Sequence, residues 1–400
     1  MASVSEFHDR GLTGVRALAA GWVLLFHLNS IVGPKVIAIH PFGVEVELHP
    51  LITIGWTGAN LFFVLSGYLL ADRLMDRMRR DAMPTAVGRY LAARVRRVFP
   101  AYWAQLAILF TVVVATTHAL PDWTRFLPLH AFMLHNWSFE ANSAINGVYW
   151  TLPIEFSFYL VLPLFAWILL RGERAGHGWR TLAFVLLAAL AISWGYRYAI
   201  VHAFPNSDLA LRIWVINQIP GTIDQFMIGG VTGVALRRLR PRVEALAPAA
   251  RERLSTALLA VGLAGMVGMI YFMDDIYDIF WIGHWALYTW YSIMTAFMAM
   301  LVAAIAIGSR ATRALFANPP MFFLGTISYS IYLWHLPVGY WVAQALDMKQ
   351  VTIGTYLIWA VPPIIAASAL SYWLVERPFM RAPGAASRSP GTDGRAFAER

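Results

Sequence analysis

Long apolar runs separated by short, arginine-rich stretches set the pattern of this chain. The runs fall near 12–32, 50–71, 98–118, 148–170, 180–201, 217–236, 254–273, 285–307, 320–343 and 351–374. Each approaches the roughly 20 residues that a helix needs to cross the hydrocarbon core. A helix satisfies its own backbone hydrogen bonds in lipid, so the pattern predicts an all-α, polytopic membrane protein with about ten transmembrane helices. One membrane domain over 1–381 follows, with a Gly-, Pro-, Ser- and Arg-rich tail over 382–400 that is expected to be disordered and cytoplasmic. The first run carries Arg16 and lacks a small-residue cleavage pattern, so it reads as a retained helix. The long connection 119–147 holds an apolar stretch, RFLPLHAFML, expected to lie on the membrane surface or dip into it.

Composition agrees: 59% of residues are apolar and 13% charged, whereas soluble domains carry about 25% charged residues. Lys and Arg are retained on the cytoplasmic side of short loops, and 25 of the 31 basic residues fall in alternate connections. The opposite side keeps Lys35, Arg125, Arg212 and Lys349. Both termini are therefore expected to be cytoplasmic. A net charge of +9 spread along one membrane face points to lipid headgroups as partners and not to nucleic acid. With no cysteine, disulfides, thiolate metal sites and a cysteine acyl-enzyme are excluded. Walker loops, HExxH, GxSxG and zinc spacings are missing from the sequence.

Ionisable residues inside apolar helices cost about 2.5 to 3.5 kcal/mol each and need a partner, a cavity or a function. Arg16 and His27 share the first run, 11 residues apart. That spacing puts them on one face, about 16 Å apart along the axis, which suggests a lined passage. Glu155, Asp224 and His335 lie at depths close to that of His27 in three other runs. Four titratable groups at one level suit either a polar chamber or a structural network that holds helices together. Arg94, Arg96 and Arg97 close a run of eight arginines just before FPAYW, and guanidinium forks grip phosphates. Ser66 and Gly67 fall at the inner end of the second run, where a ligand entering from below would meet them.

Six blocks then line up: RALAAGWVLLFH with Arg16 and His27, LFFVLSGYLL, RVRRVFPAYW, WTLPIEFSFYL, ISYSIYLWHLP and VERP at 375–378. In order and spacing they resemble the acyltransferase-3 family of integral-membrane O-acyltransferases. The resemblance implies a ten-helix core that moves an acyl group, usually acetyl, from cytoplasmic acyl-CoA to a hydroxyl of a glycan or small molecule, with no metal. It also implies His27 as catalytic base, Arg16 as its companion, and Arg94 with Arg97 as the donor-binding pair. From their positions in the helices, Ser66 is expected to contact the donor, Glu155 to orient His27 or stabilise its imidazolium form, and His335 or Asp224 to bind the acceptor sugar. Some members carry a fused extracytoplasmic hydrolase-like domain, which this chain is not expected to have. Two other readings stand beside this one. In one, the protein is a non-enzymatic exporter or flippase of a glycan or lipid-linked intermediate. In the other, His27 and His335 are ligands to haem or a metal.

Overall fold

The computed structural model describes residues 4–33, 38–40, 46–204, 208–346 and 352–380. Lys35, Lys349 and the tail 382–400 lie outside the described residues. A helix forms at each of the ten expected places. They are α1 (Val4–Val32), α2 (Gly58–Arg80), α3 (Met83–Thr117), α4 (Thr151–Arg174) and α5 (Gly178–Ala203). Then follow α6 (Ile219–Glu244), α7 (Pro248–Asp275), α8 (Ala286–Ile307), α9 (Ser328–Ala345) and α10 (Ile353–Ser371). A two-residue antiparallel ladder joins Ala38–Ile39 to Val46–Glu47.

Seven of these places hold helices long and apolar enough to cross a membrane; α2, α6 and α9 fall short of that hydropathy. The shortfall has a physical origin, because these three helices face protein and carry the polar residues of the interior. Their mutual packing is close. A Cβ on Gly67 would lie 1.8 Å from the Phe226 carbonyl oxygen, and one on Gly229 would lie 2.0 Å from that of Val64. Bare glycines thus let the α2 and α6 backbones touch, as small residues do between helices in lipid. Buried Asn60 donates to Gln225 across the same contact.

Two elements differ from the hydropathy pattern. The 320–343 run is not one helix: a short helix, Pro319–Thr326, precedes α9, with a turn at Ile327 between them. Gly325 packs onto the Thr13 backbone of α1 at that turn. Helix α3 begins at Met83, well before its apolar run, and its 35 residues span about 52 Å at 1.5 Å per residue. That exceeds a hydrocarbon core of about 30 Å, so its arginine-bearing first half stands clear of the apolar layer as one wall of a mouth.

The segment between α3 and α4 folds into short helical turns with His130 and His135 buried inside. Their rings stack at 4.2 Å, and the Tyr102 hydroxyl bonds His130 at 3.1 Å. The anchor of this segment is a backbone group on α9. Pro337 has no N–H to give the carbonyl of Leu333 four residues earlier. Gln105 and Asn146 supply the missing donors, at 2.5 and 3.1 Å.

Candidate active site

A cavity of about 190 Å³ opens among α1, α2, α3, α4 and α9. Helical spacing decides which side chains reach it, since residues three and four apart share a face. Arg94 and Arg97 of α3 line it, as do Arg73 and Arg77 of α2, with Arg16 of α1 deeper in. Arg96, off that face, is exposed. Arg16 feels the charges of Arg97, Glu155 and Arg94.

The balance of charge here is lopsided. The nearby acids Asp72, Asp76 and Glu173 are taken up by Arg79, Arg237 and Arg238. Among the described residues none of Arg73, Arg77, Arg94 and Arg97 forms an ion pair. Among the described residues, Arg94 Nε and the Tyr90 hydroxyl are buried on the cavity wall without a hydrogen-bond partner. A buried polar atom left unpaired costs about 1 to 3 kcal/mol, so the wall favours an anionic ligand with several acceptor oxygens.

Glu155 is the acid of the cavity. Its Oε1 accepts from Ser66 and from Tyr159, each at 2.5 Å. It therefore sits with Arg16 and Ser66 and not beside His27. The buried Glu376 of the VERP block accepts from Ser330 and feels Arg97 and Arg16. The upper wall is aromatic: Phe62 and Tyr332 meet edge to face at 6.2 Å. The Tyr332 hydroxyl shares a hydrogen bond with Thr151 at 2.7 Å and donates to the Val148 carbonyl at 2.8 Å.

Beyond that wall lies a second polar group. His27 Nδ1 is 3.0 Å from His335 Nε2 and 3.0 Å from the Val23 carbonyl oxygen. His335 Nδ1 is 2.9 Å from the Ile331 carbonyl oxygen. His27 is half-buried and His335 fully buried. Neither lines the cavity, although Tyr332 does so and its ring lies 5.9 Å from that of His335. Arg16 and His27 thus share a helix face, and of the two Arg16 lines this cavity.

The structure therefore brings Arg16, Ser66, Arg94, Arg97 and Glu155 together, and pairs His27 with His335. Two of the expected residues have their polar atoms engaged elsewhere. Asp224 is not part of either group: its two carboxylate oxygens accept from Arg197 at 2.9 and 3.0 Å, and Ser292 donates to it as well. Arg197 and Asp224 are both 0% exposed, so this carboxylate is closed to an acceptor. His335 uses both ring nitrogens within the protein and has none left for a sugar hydroxyl. With the two rings hydrogen-bonded to each other, a haem plane has no room between them.

Sequence reasoning missed Arg73, Arg77, Tyr90, Tyr159 and Glu376. The signal for the first two was present, since a spacing of four puts Arg73 and Arg77 on one face, but positive-inside bias accounts for the same residues.

The fold is a bundle of apolar helices with a basic recess and, outside its lining, a hydrogen-bonded histidine pair. A family model described as an acyltransferase domain matches residues 9–376, and the chain belongs to this acyltransferase-3 family. An O-acetyltransferase OatA of Staphylococcus aureus is 25% identical over 390 residues, covering 93% of this chain and 57% of that protein. A peptidoglycan O-acetyltransferase OatA of Listeria monocytogenes is 24% identical over 397 residues, covering 92% of this chain and 55% of its own. The chain thus spans little more than half the length of these relatives. No solved structure matches it.

Proposed function

We propose that the protein is an O-acyltransferase that takes an acyl group, acetyl by preference, from acyl-CoA at the arginine-rich face. It passes that group to a hydroxyl of a glycan on the opposite side. The observation that carries this reading is the excess of guanidinium groups around one cavity, Arg73, Arg77, Arg94 and Arg97 having no ion pair and Arg94 Nε and the Tyr90 hydroxyl no hydrogen-bond partner among the described residues. CoA is the acyl carrier whose phosphates need such a grip. The names of the relatives support acetyl as the acyl group and a cell-wall glycan as the acceptor class.

In this reading Arg94 and Arg97, helped by Arg73 and Arg77, hold the phosphates by charge-assisted bonds. The neutral arm runs inward past Ser66, Glu155 and Arg16. The thioester reaches His27 once the Phe62–Tyr332 contact opens. His27 takes the proton of the acceptor hydroxyl as the oxygen attacks the thioester carbon. A C–O bond forms, the C–S bond breaks, and His27 returns the proton to the departing thiolate. General-base help of this kind contributes about 10² to 10⁴-fold. Both termini are cytoplasmic in this reading, as the charge bias requires.

The test is to incubate purified protein with acetyl-CoA labelled in the acetyl group and with glycan fragments. Label is expected in the glycan as an ester, and a double Arg94→Gln, Arg97→Gln variant is expected to raise the donor KM. Unlabelled glycan, intact acetyl-CoA and no measurable donor binding would sink the reading in favour of a transporter.

A further inference from the structure

The geometry points to His335 as the positioning residue that, together with the Val23 carbonyl, holds His27 in its catalytic form, with Nδ1 protonated and Nε2 bare. This rests on His27 being the base. The assignment follows from which atoms are able to donate. A carbonyl oxygen only accepts, so His335 Nδ1, 2.9 Å from the Ile331 oxygen, carries the proton. In a neutral ring Nε2 of His335 is then an acceptor. His27 Nδ1 faces that nitrogen at 3.0 Å and the Val23 oxygen at 3.0 Å. With an acceptor on both sides, His27 Nδ1 must be the donor, and the only position left for the lone pair of neutral His27 is Nε2.

The chain of bonds therefore runs in one direction, from His27 Nδ1–H to His335 Nε2, and from His335 Nδ1–H to the Ile331 carbonyl. When His27 Nε2 takes the acceptor's proton, the new imidazolium keeps Nδ1–H on the His335 lone pair, and no second proton has to move. Asp or Glu is the usual partner for a catalytic histidine; here a neutral ring does the work where a carboxylate would add a buried charge. Two features keep His335 in place. It is 1% exposed, and the carbonyl of Leu333, released by Pro337, is clamped by Gln105 and Asn146. Glu155, bonded to Ser66 and Tyr159, is thereby replaced in the orienting role expected of it.

Two variants and one spectrum test this. His335→Leu removes the side-chain acceptor and leaves the Val23 carbonyl, so kcat is expected to fall by more than about tenfold with the acetyl-CoA KM within about twofold of wild type, the range for losing one hydrogen bond to a group that becomes charged. His335→Gln presents an amide oxygen near the Nε2 position, and its kcat is expected within about tenfold of wild type, by the same acceptor argument. Wild-type kcat in His335→Leu, or equal loss in folded His335→Gln and His335→Leu, would overturn the role. Should either variant fail to fold, ¹⁵N spectra of histidine-labelled wild-type protein decide the matter, with the His27 signal identified by its loss in His27→Ala. The expected form has a protonated Nδ1 and an unprotonated Nε2, and the reverse tautomer would refute the proposal. The base reading fails separately: wild-type turnover in His27→Ala removes it, whereas a dead His27→Ala beside a fully active His335→Leu removes only the positioning role.

Discussion

The Arg197–Asp224 pair and the arginine cavity carry the same signature in the sequence, charged residues within or beside apolar helices, and they resolve in opposite ways. Around Asp224 the polar groups are paired: Arg197 donates to both Asp224 oxygens and to the carbonyls of Gly221 and Tyr288. Ser292 caps the same carboxylate and Ser193 accepts from the Asp224 N–H. In the cavity, among the described residues, four arginines have no ion pair and Arg94 Nε no acceptor. A closed polar network binds helices to one another. An open one, with donors in excess, is built for a ligand that arrives from outside.

The sharpest break between the two regions comes from activity. His27→Ala is expected to lower acyl transfer by about 10² to 10⁴-fold, with a smaller loss of melting temperature than Arg197→Leu, measured on the same purified protein. Arg197→Leu should do the reverse. It leaves Asp224 buried and unpaired, a loss of about 3 to 5 kcal/mol, read as a lower melting temperature in detergent, while the fraction that folds keeps its donor KM. Parallel loss of donor affinity in folded Arg197→Leu would show that the two regions are not separate. Smaller again is Arg94→Gln alone. A hydrogen bond to a charged group contributes about 1.5 to 3 kcal/mol, so the donor KM should rise roughly tenfold to a hundredfold, and rising salt should narrow the gap from wild type.

A different contrast is offered by the segment between α3 and α4. Burial pushes the His130 imidazole down to about 3 and that of His135 down to about 4, and each charge would disfavour the other. The unfolded segment takes up protons first, starting near the ordinary value of 6.5. The two rings therefore contribute their full stability above that pH and lose it as the pH falls toward 4. Thermal melts between pH 7.5 and 5 should show the loss in wild type and a flatter profile in His130→Gln.

Hydropathy and loop charge made the helices legible because lipid imposes a length and apolarity that few sequences reach by chance. Counting along each helix put Glu155, Asp224, His335 and His27 near one level. Which neighbour each side chain faces was not, because it depends on the rotation of every helix in the bundle. That rotation sends Asp224 to Arg197 and His335 to His27. The turn at Ile327 was hidden for a related reason, since the apolar run continues across it and only the approach of Gly325 to α1 marks the bend. Pro337 could be read from sequence as a source of one free carbonyl, but not the partners of that carbonyl, Gln105 and Asn146, which lie 228 and 187 residues away.

The central claim is that donor binding and proton abstraction occupy two stations, the arginine cavity and the His27–His335 pair. Equilibrium binding of acetyl-CoA to His27→Ala, with acyl transfer followed in the same sample, tests it most directly. The account predicts a Kd within about twofold of wild type and transfer at background, because general-base loss falls on the chemical step alone. Folded His27→Ala that fails to bind acetyl-CoA, or that transfers acetyl at the wild-type rate, would contradict it.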